Sequence, residues 1–297
     1  MKKEPLIIGM PFDNGIRSML NLGRGTIGSS EAPEFIFKQL DKNDIKVDKI
    51  NKVMLDLKKF NIEIKELNNF NNNEKNNLTL KAHEIVENEI LKYKDKLIIS
   101  IGGDHSLSYP IFKSLNKNSN SKLSIVLFDA HFDMRSNEEE GIISSGNSFY
   151  RILKENLCEE ILVIGINKSD KNAFKKQLNF AKQNNVKIIF IDELNENSLN
   201  NALDKIKNPI YLSIDIDVLN EKYAPGVSAR NKLGLSVNEL LNYLNIIFDK
   251  KLNKKQNEII SIDIMEASLR NNDNESLEIT SKAVIKIIKA FLEKYKY

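Results

Sequence analysis

Leu97-Ile98-Ile99-Ser100-Ile101-Gly102-Gly103-Asp104-His105-Ser106 reads as a strand that runs directly into a polar turn. The run Leu97 to Ile101 is continuous rather than alternating, the pattern of a strand covered on both faces. The same arrangement recurs. Leu123 to Phe128 is followed by Asp129-Ala130-His131-Phe132-Asp133, Ile210 to Ile216 carries Asp215-Ile216-Asp217, and Ile259 to Ile264 is followed by Glu266. Further short apolar runs lie at Leu6 to Met10, Ile161 to Ile166 and Val186 to Ile191, with a weaker one at Ile62 to Leu67.

Stretches with helical spacing lie between these runs. They are Asn77 to Tyr93, Lys171 to Gln183, Ser198 to Ile206, Val237 to Phe248 and Leu277 to Tyr295, with Ser169 and Ser236 placed as N-caps. Alternating strands and helices predict an α/β fold, with a mostly parallel eight-stranded sheet and helices on both faces. No Pro/Gly-rich linker interrupts the chain, so residues 1–297 are expected to form a single domain. The asparagine-rich stretch Asn68 to Asn77 is expected to be a loop.

Ligands in parallel sheets bind outside the carboxyl ends of the strands. The acidic and histidine side chains that follow these strands are therefore expected to meet at one edge. Asp129, His131 and Asp133 sit at alternate positions and would point the same way in an extended segment; Asp215 and Asp217 repeat the spacing. Carboxylates gathered this closely resist ionising together unless cations are present. Four carboxylates and two imidazoles exceed what one metal with open positions needs and fit two. Oxygen-rich ligation with some imidazole suits manganese, and ligand type alone leaves zinc or iron open. The expected metal ligands are His105, Asp129, His131, Asp133, Asp215 and Asp217. His83, in a polar helical stretch, is read as a bystander.

Composition sets outer limits. The formal charge of +3 comes without any block of like charge, which gives no footprint for nucleic acid. The one cysteine, Cys158, excludes an intrachain disulfide. It points to a reducing, cytoplasmic setting and reads as a packing residue. The charged start Met1-Lys2-Lys3-Glu4-Pro5 precedes only a short apolar run, so no signal peptide is expected. No stretch approaches the roughly 20 apolar residues of a membrane span.

The three motifs Gly102-Gly103-Asp104-His105-Ser106, Asp129-Ala130-His131-Phe132-Asp133 and Ser213-Ile214-Asp215-Ile216-Asp217 resemble those of the ureohydrolases: arginase, agmatinase and formimidoylglutamase. The resemblance spans nearly the whole chain. It implies a three-layer α/β/α arginase-like fold and two manganese ions per subunit. His105, Asp129, Asp133 and Asp215 would hold one ion; Asp129, His131, Asp215 and Asp217 would hold the other. It implies a metal-bridging hydroxide that attacks the amidine carbon, with Asp133 carrying the proton to the departing nitrogen and Glu266 holding the cationic amidinium. Asp104 matches no metal ligand and is read as shaping the turn. The resemblance also implies a homo-oligomer, while composition and charge leave no membrane or nucleic-acid partner expected.

Among the members, the chain is most similar to formimidoylglutamase. Phe149 stands where arginases carry a histidine. Arg135, the opening Arg17 and Gly23-Arg24-Gly25, and Ala224-Pro225-Gly226-Val227-Ser228 also resemble that subfamily. Arginine pairs with carboxylates bidentately, and Arg17, Arg24, Arg135, Arg151 and Arg230 all flank motif loops. Arg135, Ser145, Asn147 and Glu266 are the expected substrate contacts. The chain departs from the family at Asn220, where many members have aspartate, and at Ala267-Ser268-Leu269, where many have asparagine-proline. The expected substrate is N-formimidoyl-L-glutamate, a small molecule with anionic groups, cleaved to L-glutamate and formamide in histidine breakdown. The rivals are another ureohydrolase that releases urea and a catalytically silent metal-binding relative.

Overall fold

The computed structural model describes residues 3–42, 50–252 and 258–295; Met1 and Lys2 of the charged start lie outside them. In chain order the elements are β1 (Glu4–Met10), α1 (Asn14–Arg17), α2 (Ala32–Lys42), β2 (Asn51–Met54), α3 (Asn72–Lys92), β3 (Lys96–Gly102), α4 (Ser108–Lys117), β4 (Ser124–Phe128), α5 (Asn137–Glu140), α6 (Ser148–Lys154), β5 (Ile161–Ile166), α7 (Asn172–Gln183), β6 (Lys187–Phe190), α8 (Glu196–Leu203), β7 (Ile210–Asp215), α9 (Val237–Lys251), β8 (Ile259–Met265) and α10 (Asn274–Tyr295). The strands form one eight-stranded sheet in the order β2-β1-β3-β8-β7-β4-β5-β6. Every pairing is parallel.

The strand order explains why the motifs converge. β3, β8, β7 and β4 are consecutive in the sheet, and these are the four strands followed by histidine or acidic residues. Residues far apart in sequence thereby reach one carboxyl edge. The continuous apolar runs follow from burial on both faces. Ile99, Ile101, Val126 and Phe128 pack on one side with residues of α2, α8, α9 and α10. Ile98, Ile125, Leu127 and Val163 pack on the other with residues of α3, α4, α6 and α7.

Three local expectations are corrected. Ile62 to Leu67 is not a strand; residues Ile64–Asn69 form a 3-10 turn whose side chains, apart from Leu67, are not buried. The strand there is β2, whose Asn51 and Lys52 interrupt its apolar pattern because an edge position is not covered on both faces. Asn68 to Asn77 is only partly a loop. Asn71 caps α3 through a reciprocal capping box with Glu74, accepting its N–H at 3.1 Å, so helix begins at Asn72. Ser236 caps α9 in the same way with Glu239. Ser169 does not cap α7: it accepts the Lys171 N–H at 3.3 Å, ahead of a helix whose N-cap is Lys171 itself.

The loops after β1 and β3 are locked together by backbone contacts. Gly103 N–H donates to Met10 O at 2.8 Å and Asp104 N–H to Phe12 O at 2.8 Å. A Cβ on Gly103 would stand 1.6 Å from Phe12 O. Gly103→Ala is therefore expected to destabilise the fold by about 3 kcal/mol or more, because backbone rather than a movable side chain obstructs it. A urea melt unchanged from wild type would contradict this close approach.

Candidate metal centre

His105 follows β3 and opens a 3-10 turn, His105–Leu107. It is fully buried. Its Nδ1 lies 3.4 Å from Asp129 Oδ2, 3.1 Å from Asp133 Oδ2 and 3.2 Å from Asp215 Oδ2. Its Nε2 lies 3.0 Å from Ser213 Oγ, and Phe149 meets its ring edge-on at 5.2 Å between centroids. On the other side of Asp129, His131 Nδ1 stands 3.0 Å from Asp217 Oδ2 and 3.6 Å from Asp129 Oδ1. Nearly half of the His131 side chain is exposed, at 49%.

These contacts make two groups joined by Asp129: His105, Asp129, Asp133 and Asp215, and then Asp129, His131 and Asp217, with ligand atoms in each within 4.8 Å of one another. The sequence reading brought all six residues together, and so does the structure. Asp215 differs in detail, since it falls in the first group only. Its Oδ1 accepts the Asp217 N–H at 2.8 Å while its Oδ2 faces His105.

Turn geometry, rather than an extended strand, aims these side chains. Asp129 Oδ1 accepts the His131 N–H at 2.6 Å. Asp133 and Glu266 both hold positive φ, 48° and 68°. This is unusual for residues with a side chain and is found where surrounding structure enforces it. Glu266 leaves β8 with Oε1 accepting the His105 N–H at 2.8 Å and Oε2 accepting the Ser228 hydroxyl at 2.5 Å.

The electrostatics suit a candidate cation site. Asp129 Oδ2 is buried without a hydrogen-bond donor. Burial and then the neighbouring charges of Asp217 and Asp129 raise the Asp215 carboxyl well above its ordinary range. Burial and then Asp133 raise Asp129. Burial and Asp104 push Glu266 up to about 8. Both imidazoles are drawn toward their charged forms: at His131 chiefly by Asp217, and at His105 by the surrounding carboxylates, which overcome its burial. The four aspartates carry a formal charge of −4, which two divalent cations would match. The donor set fits a pair of ions.

The remaining candidates divide. Arg24, Arg135 and Ser145 line a cavity of about 80 Å³ together with Asp133, Asp215 and Glu266. Asn147 does not face it, because its side chain accepts the Ser144 N–H and donates to Ile142 O within its own loop. Arg17 pairs with Asp13 and donates to Ile62 O. Arg151 stacks on Tyr109 at 3.6 Å, and Arg230 donates to Pro225 O. Asp104 is buried, accepts the N–H groups of Ser106 and Ile16, and so shapes the turn as expected. His83 is buried beside Arg151 and Ser106. Cys158 is buried, which pushes its thiol up to about 12.

Sequence reasoning missed Asp263. It is fully buried on β8, accepting from Ser108 at 2.6 Å and from Tyr211. It pairs in register with Ser213, the residue against His105 Nε2. The available signal was a carboxylate inside an otherwise apolar run.

A sequence model of the arginase family matches residues 3–293. A formimidoylglutamase of Bacillus subtilis is 30% identical over 184 residues, covering 59% of this chain and 54% of its own. An agmatinase of Bacillus cereus is 29% identical over 175 residues, covering 59% and 56%. The chain thus spans little more than half the length of these relatives. The crystal structure of formimidoylglutamase from Bacillus subtilis superimposes with a TM-score of 0.74 at 23% identity, covering 99% of this chain and 87% of that one; at that identity it shows a shared fold alone. Among the described residues, no helix is long and apolar enough to cross a membrane.

The raised groups predict the pH response of protein stripped of divalent metal. A group whose folded pKa is raised stabilises the fold below its unfolded pKa and loses that contribution as pH rises through the folded value. Asp104 at about 7, Glu266 at about 8, Asp215 and both site histidines all work in this direction; buried His83 opposes them below its ordinary range. Chelated protein should therefore lose Tm between pH 6 and 9, and added Mn2+ should restore it. Asp215→Asn should raise Tm without metal and abolish the gain on adding it. A chelated Tm that climbs toward pH 9 would refute carboxylate repulsion as the dominant force here.

Proposed function

This chain belongs to the arginase family, and we propose that it is a binuclear manganese hydrolase that cleaves N-formimidoyl-L-glutamate to L-glutamate and formamide. The observation that carries the reading is the placement of Arg24 and Arg135 in the same cavity as Asp133 and Glu266. The same lining offers guanidinium groups to a carboxylate and carboxylates to an amidinium.

His105, Asp129, Asp133 and Asp215 would hold one ion; Asp129, His131 and Asp217 would hold the second. When bound, the ions lower the pKa of water enough to supply hydroxide near neutral pH. Glu266 accepts hydrogen bonds from the amidinium nitrogens and turns the amidine carbon toward the aspartates, its own carboxylate fixed by His105 N–H and Ser228. The oxygen adds to the amidine carbon, and the C–N bond to the glutamate nitrogen breaks. Asp133 takes the proton of the attacking group and delivers it to that nitrogen as it leaves. Phe149, buried against His105, is unable to shuttle protons.

A specific observation favours a second reading. Glu140 already pairs with Arg24, so a tail with one carboxylate, as in a guanidino acid that releases urea, also suits the cavity.

Product analysis separates the readings. The Mn2+-loaded protein is expected to release formamide and glutamate from N-formimidoyl-L-glutamate and no urea from arginine, agmatine or 4-guanidinobutyrate. Asp133→Asn should lower kcat by about 10²-fold or more. Glu266→Gln should lower kcat/KM by roughly 10- to 100-fold through loss of a charged hydrogen bond. Urea from 4-guanidinobutyrate would transfer the assignment to the second reading, and urea from agmatine would remove any role for a substrate carboxylate.

A further inference from the structure

The two arginines of the cavity arrive from opposite directions, Arg24 from the loop after β1 and Arg135 just beyond β4. They meet on one acid. Arg24 Nη1 pairs with Glu140 Oε1, and Arg135 Nη1 lies 3.8 Å from the same oxygen. Glu140 is the last residue of α5. Its side chain is only 16% exposed, and its Oε2 is buried without a donor. Glu140 does not line the cavity above the aspartates. It lines the adjoining outer cavity of about 700 Å³, which shares Arg24 and Arg135 with the inner one. The acid therefore adjoins the guanidinium groups without lining the cavity that holds Asp133 and Glu266.

The charges can be counted. Two guanidinium groups and one carboxylate leave +1. The other charged pair on the outer cavity, Lys176 and Glu139 at 2.7 Å, cancels itself. Arg135 is beyond hydrogen-bond distance of Glu140, so its donors remain available to a ligand while the acid's field still acts on it.

We propose that Glu140 is a specificity-determining residue: by leaving Arg24 and Arg135 one net positive charge, it sets the arginine pair to hold a single carboxylate of the ligand tail. This rests on the carboxylate-binding part of the proposed function. Glu140 acts through the arginines and touches neither the reacting atoms nor the metal ligands. A substrate bearing two carboxylates places one against the arginine pair and leaves the other toward the open outer cavity.

The test compares two inert acids that differ by one carboxylate, butyrate and glutarate. Their affinities are measured by calorimetry on the Mn2+-loaded protein, so that any contact of the acids with metal is common to every variant. Glu140→Gln changes the local charge from +1 to +2 and should raise the glutarate-to-butyrate affinity ratio by about threefold at low ionic strength, the gain shrinking in 1 M salt. Arg24→Gln changes it from +1 to 0 and should lower the ratio by a similar factor. These opposite shifts are not what a general loosening of the loop would give, and they remain readable if one variant fails to fold. A ratio unmoved or lowered by Glu140→Gln, a ratio raised by Arg24→Gln, or no binding of either acid to the wild type would overturn the proposal. Formamide release with no shift in ratio would remove this inference alone. The expected shifts without turnover of any amidine would remove only the substrate assignment.

Discussion

Four aspartates and a glutamate are brought to the edge of one sheet and shut away from water, and the rest of the molecule is arranged around the cost of doing so. Like charges within a few ångströms in a buried setting raise one another's pKa values and oppose folding. The backbone supplies part of the relief: Asp129 takes the His131 N–H, Asp215 takes the Asp217 N–H and Glu266 takes the His105 N–H. Imidazoles supply more. Asp129 Oδ2 is left buried with no hydrogen bond, its nearest imidazole nitrogen 3.4 Å away. The chemistry proposed for the site and its demand for cations are therefore two expressions of one constraint.

Rigidity around the cluster has the same origin. Side chains that repel stay put only if the backbone holds them. The turns that do so are pinned from behind by Gly103 against Phe12 and by Asp104 against the N–H groups of Ile16 and Ser106, while Asp263 stands in register beside Ser213 on the neighbouring strand. The positive φ of Asp133 and Glu266 belongs to this scheme, since two uncommon backbone conformations are tolerated at the positions assigned to chemistry and carried by the packing beneath them.

The central strands and the six candidate ligands were legible in the sequence because burial on both faces writes a strand as an unbroken apolar run, and an acid or histidine directly after it stands out. What was not legible depended on partners. β2 looked like polar chain because an edge strand is covered on one side only. All five arginines flanked motif loops in the sequence and Arg135 alone was singled out; Arg17, Arg151 and Arg230 are committed to Asp13, Tyr109 and Pro225, and only the fold brings Arg24 beside Arg135. Asn147 carried the right chemistry but spends it on its own loop. Glu140 sat in an acidic run that reads as a solvated helix face, and Asp263 was hidden by the strand around it.

The strand order has a consequence for how the chain is built. β8, the last of the eight strands in the sequence, is inserted between β3 and β7. Before it is in place, β2-β1-β3 and β7-β4-β5-β6 are two half-sheets, each with a long apolar strand at an unpaired edge. On a ribosome, His105, Asp129 and Asp133 are all synthesised well before the strand that joins their halves. Such late closure over distant contacts slows folding and prolongs the exposure of sticky edges. His105, on the β3 half, is thereby kept from Asp129, Asp133 and Asp215, on the β7-β4 half, until β8 docks and the candidate site closes.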